Sequence, residues 1–107
     1  MKPRNRAAAL ALFTGIAGLA APAAVLAQDA TLARSLAATC ANCHGTNGNA
    51  RGEMKSLAGL PADATIALFN SYKSGAVTGT IMHQIAKGYT DEQIKLIAGY
   101  FAAQPKK

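Results

Sequence analysis

At 107 residues, half of them hydrophobic, the chain has the length of one domain. Its formal charge of +6 comes from 11 basic and 5 acidic side chains, but Lys2, Arg4 and Arg6 crowd the first six residues, and without them the balance is +3. That distribution argues against nucleic acid as a partner: past the start the only adjacent basic pair is Lys106 and Lys107, and the Phe and Tyr residues are not interleaved with cations as a stacking platform requires.

The opening "MKPRNRAAALALFTGIAGLAAPAAVLAQ" runs from a basic end through an apolar stretch to small residues at Val25 and Ala27. This is the order of a bacterial secretory signal peptide, with cleavage expected after Ala27; the early Pro22 and the small-residue exit weigh against an uncleaved membrane anchor. Removing 27 of 107 residues leaves 80, residues 28–107, as a single exported domain with no membrane span. The expected location is the periplasm. An apolar core of that size is marginal, because only about 60–65% of the unfolded surface is buried at such lengths, so a staple is expected.

The first expected element covers "DATLARSLAATCANCHG", with Asp29 as its cap and Gly45 as its stop. Leu32, Leu36, Ala33, Ala37 and Cys40 share its apolar face, and both cysteines ride near its end. From Thr46 to Gly59, "TNGNARGEMKSLAG" has no period and reads as a loop long enough to wrap around something. Pro61 suits the start of a second helix bearing Ile66, Phe69 and Tyr72 or Lys73 at helical spacing, until "SGAVTG" breaks it. "TIMHQIAKG" allows one short helical turn closed by Gly88. In "TDEQIKLIAGYFAAQ", Thr90 and Gln93 have capping-box spacing and Tyr89 with Ile94 that of a hydrophobic staple. Ile94, Ile97, Tyr100 and Phe101 form its apolar face, and Pro105 ends it. No strand pattern or repeat is visible, so the expected fold is a small all-α domain of three to five helices.

The chain's only cysteines, Cys40 and Cys43, are followed at once by His44, and Cys-x-x-Cys-His is the attachment signature of c-type haem. Thiols three residues apart on a helical turn project to one side, so both reach the vinyl groups of one porphyrin while His44 faces the iron. Three other readings compete. A thioredoxin-like redox pair needs its cysteines at a helix N-terminus within a βαβ frame, which is not visible. A zinc site from Cys40, Cys43, His44 and His83 lacks the paired spacing of structural zinc. A structural disulfide across two residues would be strained and staple little chain. Haem attachment is favoured, and it supplies the missing staple: one covalent haem c, wrapped by the Gly-rich loop.

The second axial position decides between electron transfer and ligand binding, since a methionine sulfur raises the potential and closes the iron. Met54, Met82 and His83 are the candidates. Met54 follows His44 by only ten residues and would have to cross to the opposite face at once. Met82 follows by 38, after a helix and a second glycine-bearing loop, and reaches that face comfortably. Met82 is therefore preferred, with Met54, His83 and an open iron remaining as alternatives.

Taken in order, "CANCHG", the Gly-rich loop, "LAGL", "YKSG", Met82 and "GYTDEQIKLIAGYFAAQ" make the mature chain resemble a class I c-type cytochrome, and within that family the cytochrome subunits of flavocytochrome c sulfide dehydrogenases. The resemblance implies that Cys40 and Cys43 hold the haem, that His44 and Met82 ligate its iron, and that Leu36 or Ala37 meets Ile97, Tyr100 and Phe101 where the terminal helices cross. It implies an electron carrier, without catalysis of its own, whose partners are redox proteins, a flavoprotein sulfide dehydrogenase subunit being one such partner; the single attachment motif makes that carrier monohaem, and an open iron would make a peroxidatic or ligand-binding haem protein the rival function. Two departures stand out. Many relatives have a proline before "LAG" whose carbonyl orients the ligating histidine, where this chain has Lys55 and Ser56, leaving a carbonyl of Met54, Lys55 or a neighbour to serve. Relatives often carry two haem domains, where this chain has one motif. Arg51, Tyr72 and Lys73 are candidates for contact with the haem propionates.

Overall fold

Among the described residues of the computed structural model, five α-helices follow one another: α1 (Ala21–Ala38), α2 (Ala41–His44), α3 (Ala62–Ser74), α4 (Met82–Ile85) and α5 (Asp91–Ala102). The structure describes Gly15 and residues 21–107, with side chains from Gln28 onward, and no strand occurs among these residues. The expected leader, residues 1–27, lies outside the described side chains. Among the described residues no helix is long and apolar enough to cross a membrane.

Asp29 does not cap the first helix. The chain is already helical at Ala21, and the alanine-rich stretch that follows favours helix, so Asp29 lies inside α1. Nor does one helix carry the chain through both cysteines. The Thr39 hydroxyl donates to the Leu36 carbonyl at 3.0 Å, and the Cys40 N–H turns to the Ala37 carbonyl at 3.1 Å, so the ladder breaks between Ala38 and Ala41. α2 starts after that break.

α5 forms as its local signals dictate. Thr90 accepts from the Gln93 N–H at 3.2 Å and the Gln93 side chain accepts from the Thr90 N–H at 2.9 Å, while Asp91 and Glu92 oppose the helix dipole. The helix stops at Ala102, shortly before Pro105. Its buried face is Ile94, Ile97, Ala98 and Phe101, with Tyr100 half-buried beside it.

The core joins Ala37 of α1, Phe69 of α3, Ala86 and three α5 side chains, Ile94, Ile97 and Phe101. α1 presents Ala33 and Ala37 to that core, whereas Leu32 is 47% exposed. Small residues at the crossing let α1 approach α5 closely, which rotates Leu32 away from the seam. α3 is tied to the segment that leads into α5: Phe69 meets Tyr89 edge-on at 6.1 Å, and Lys73 donates to the Tyr89 carbonyl at 2.8 Å and reaches Asp91 at 3.4 Å. Gly75, at φ 82°, ends it in the left-handed conformation that glycine adopts without penalty.

These elements leave one side of the helical frame to the segments between them. The loop from Thr46 to Gly59 begins with a 3₁₀ turn, Thr46–Gly48, and folds back when the Leu57 and Ala58 N–H groups both donate to the Gly48 carbonyl, at 2.8 and 3.1 Å. It is fastened to α5 by Gly59 N–H to the Phe101 carbonyl at 2.8 Å and by Tyr100 to Asn47 at 2.7 Å. α4 runs into a 3₁₀ turn, Ala86–Gly88, whose Ala86 is fully buried.

Candidate haem-binding site

α2 is one turn long, and its geometry follows from the break before it. The His44 N–H donates to the Cys40 carbonyl at 2.9 Å, which closes one turn with Cys40 at its start and Cys43 and His44 at its end. All three line one cavity of about 520 Å³, within the range of about 300–1,000 Å³ that suits an organic cofactor.

The loop decides which ring nitrogen of His44 is available. His44 Nδ1 stands 2.6 Å from the Lys55 carbonyl oxygen, and since a carbonyl can only accept, Nδ1 carries the proton. Nε2 then holds the lone pair, as a metal-ligating imidazole with a carbonyl partner behind it requires. Lys55 is exposed and meets His44 through its backbone carbonyl.

The cavity wall is mostly apolar. Leu57 and Leu60 come from the loop, Leu68, Phe69 and Tyr72 from α3, and Ile81 and Met82 from the start of α4. Met54 lines it as well, one residue before the Lys55 whose carbonyl meets His44. Met82 enters from a different segment, beyond α3, and packs against the hydrophobic core. His83 is not among the lining residues; its Nδ1 is buried without a hydrogen-bond partner. Gly79 makes room for this arrangement, because a Cβ there would stand 3.0 Å from the Tyr72 ring and 3.5 Å from Met82 Cβ.

A haem fits this donor set: two thiols, an imidazole with a free nitrogen, a thioether and an apolar wall share one cavity. The two thiols differ. Burial pushes the Cys40 thiol above its ordinary pKa, an effect its Thr39 contact partly offsets, whereas Cys43 is exposed. Thr39 itself is held by Tyr89, whose hydroxyl lies 3.0 Å away and donates to it, because the single Thr39 hydrogen is engaged with Leu36. Of the three candidates for propionate contact, Tyr72 lines the cavity, Lys73 is committed to Tyr89 and Asp91, and Arg51 is exposed and off the wall.

The expected α3 face, Ile66, Phe69 and Tyr72, packs into the core, Phe69 buried and the other two half-buried. The stripe that meets the cavity is Thr65, Leu68, Phe69 and Tyr72, and Thr65 is buried with its hydroxyl unpartnered. The same three- and four-residue spacing was present in the sequence, masked by a threonine at a position that reads as polar.

An all-helical frame closing an apolar cavity over Cys-x-x-Cys-His defines a class, the c-type cytochromes, which carry electrons on covalently bound haem and transform no substrate of their own. The chain belongs to the family described as cytochrome c oxidase, cbb3-type, subunit III, matching it over residues 27–101. It is 39% identical over 90 residues to the cytochrome subunit of sulfide dehydrogenase from Chlorobaculum tepidum, covering 84% of this chain and 82% of that one. It is 33% identical over 69 residues to cytochrome c-553 of Desulfomicrobium norvegicum, covering 62% and 86%. A thiosulfate dehydrogenase electron acceptor from Stutzerimonas stutzeri is 33% identical over 75 residues, 68% of this chain but 35% of that protein.

Proposed function

We propose that the protein is a periplasmic, monohaem electron-transfer cytochrome whose Cys40 and Cys43 hold the haem as thioethers and whose His44 and Met82 are the axial ligands of its iron. The observation that carries this reading is the convergence of those four side chains on one apolar cavity, with His44 Nδ1 committed to Lys55. When bound, the haem supplies a one-electron Fe(III)/Fe(II) couple. The chain's own contribution is to hold His44 in one tautomer through Lys55, to bring a soft thioether from Met82, and to line the cavity with Leu57, Leu60, Leu68 and Phe69, which keep water from it. A dry apolar pocket disfavours the more highly charged oxidised state and so tunes the potential upward. The mild net charge of residues 28–107, +3, favours acidic partner faces and makes association sensitive to salt. The leader-like first 27 residues support export and the periplasmic location.

The relative from Chlorobaculum tepidum favours a second, narrower reading: a haem subunit that receives electrons from a flavoprotein sulfide dehydrogenase. Copurification with a larger flavoprotein distinguishes that subunit from a free carrier.

Optical spectra of both redox states, with and without carbon monoxide, test the primary reading. The expected result is a low-spin haem c with a sulfur-to-iron charge-transfer band when oxidised and no rapid carbon monoxide binding when reduced. Prompt carbon monoxide binding would instead indicate an open iron and a ligand-binding or peroxidatic role.

A further inference from the structure

Lys55 offers its carbonyl to His44 at the end of a free excursion. Residues 51–54 immediately before it are all exposed, whereas Leu57 and Ala58 after it are both fastened to the Gly48 carbonyl. Between these regimes stands Ser56, whose Oγ accepts from the Ala50 N–H at 2.9 Å. The carbonyl of residue 55 and the nitrogen of residue 56 belong to one planar peptide unit, so whatever fixes Ser56 fixes the direction of the Lys55 carbonyl.

We infer that the Ser56 hydroxyl is the positioning residue for the axial histidine: by bridging to Ala50 across the neck of the loop, it holds the Lys55–Ser56 peptide in the orientation that receives His44 Nδ1–H. Neither Lys55 nor Ser56 has a ring to restrain this segment, and the hydroxyl bridge provides the restraint with a hydrogen bond. The inference rests on His44 being an iron ligand. Its consequence concerns the ligand's electron density, since a well-aligned carbonyl behind Nδ1 makes the imidazole more basic and stabilises the oxidised iron. Loosening the peptide weakens that bond and moves the reduction potential upward.

The test uses the assembled, haem-bearing protein with Ser56→Ala and with Ser56→Thr, which keeps the hydroxyl. The readouts are solvent exchange of the His44 ring N–H in the reduced, diamagnetic state and the midpoint potential. Ser56→Ala is expected to speed that exchange roughly two- to tenfold, the factor one lost hydrogen bond represents, and to raise the potential. Ser56→Thr is expected to restore both. The inference is overturned if Ser56→Ala changes neither quantity or if Ser56→Thr behaves like Ser56→Ala. It is equally overturned if backbone amides of α5, such as that of Ile97, speed up by the same factor, which would mark global loosening. Failure of the ligation itself looks different: the unsubstituted protein would then show no haem-shifted ring N–H from His44.

Discussion

The hydroxyl of Tyr100 donates to Asn47 Oδ1 at 2.7 Å, joining α5 to the first turn after the haem motif across 53 positions of chain. Asn47 is the one non-glycine residue with positive φ among those described, at 54°. It tolerates that conformation because its short amide can hydrogen-bond locally, where alanine would pay about 1–2 kcal/mol. Tyr100→Phe should therefore cost about 1 kcal/mol, the value of one lost hydrogen bond. Asn47→Ala should cost more, about 2–3 kcal/mol, because it loses the acceptor and adds backbone strain. Denaturant unfolding of the haem-bearing protein measures both, and equal losses would show that the left-handed turn carries no penalty.

Met82 and Met54 both line the cavity, and substitution separates them. Met82→Ala should abolish the sulfur-to-iron charge-transfer band of the oxidised protein and open the reduced iron to carbon monoxide. Met54→Ala should leave both properties as they are, since Met54 adjoins the residue that backs His44. The reverse pattern would reassign the sixth ligand.

What the sequence disclosed and what it hid divide along physical lines. The α5 capping box, Thr90 with Gln93, depends on contacts three residues apart and is readable from four letters. Cys40, Cys43 and His44 are equally local. The break at Thr39 is not, because a threonine hydroxyl that captures its own helix's carbonyl at Leu36 looks like any helical threonine until the ladder is seen. On α1, Ala33, Leu36 and Ala37 were legible as the inward face, and only the exposure of Leu32 was hidden, because which part of that face meets α5 is set by tertiary packing. Lys55 was legible only as a candidate, since a backbone carbonyl leaves no signature in the side chain above it.

Without its cofactor, the protein should lose its cooperative fold. Among the described residues the buried hydrophobic cluster holds six, Ala37, Phe69, Ala86, Ile94, Ile97 and Phe101, and two of them are alanines. The cavity beside it, about 520 Å³, is walled by side chains that an empty site leaves facing water. Net stabilities of domains this small are about 5–10 kcal/mol, so exposing such a wall removes much of the margin. Replacing both cysteines, Cys40→Ser with Cys43→Ser, should broaden or erase the thermal transition followed by circular dichroism. A sharp transition at the original midpoint would mean that the helices stand without the haem.

Gly48 sets the tightest tolerance between loop and helix. Its φ is +78°, and a Cβ added there would stand 2.7 Å from Phe101 Cδ1 and 2.8 Å from the Ala58 nitrogen. Phe101 is only 1% exposed and cannot swing aside, while Ala58 is held by the Gly48 carbonyl itself, so neither neighbour yields cheaply. Gly48→Ala combines overpacking of about 1–3 kcal/mol with a left-handed backbone penalty of about 1–2 kcal/mol. The expected total, about 2–5 kcal/mol, should also displace the Ser56 and Lys55 segment that Gly48 anchors through Leu57 and Ala58. Unfolding measurements should show the stability loss, and the reduction potential should shift with it as His44 loses its aligned carbonyl. A stability loss with an unchanged potential would mean that the loop bends at Gly48 while the Lys55 carbonyl stays in place, separating the packing role of this glycine from any part in holding the histidine.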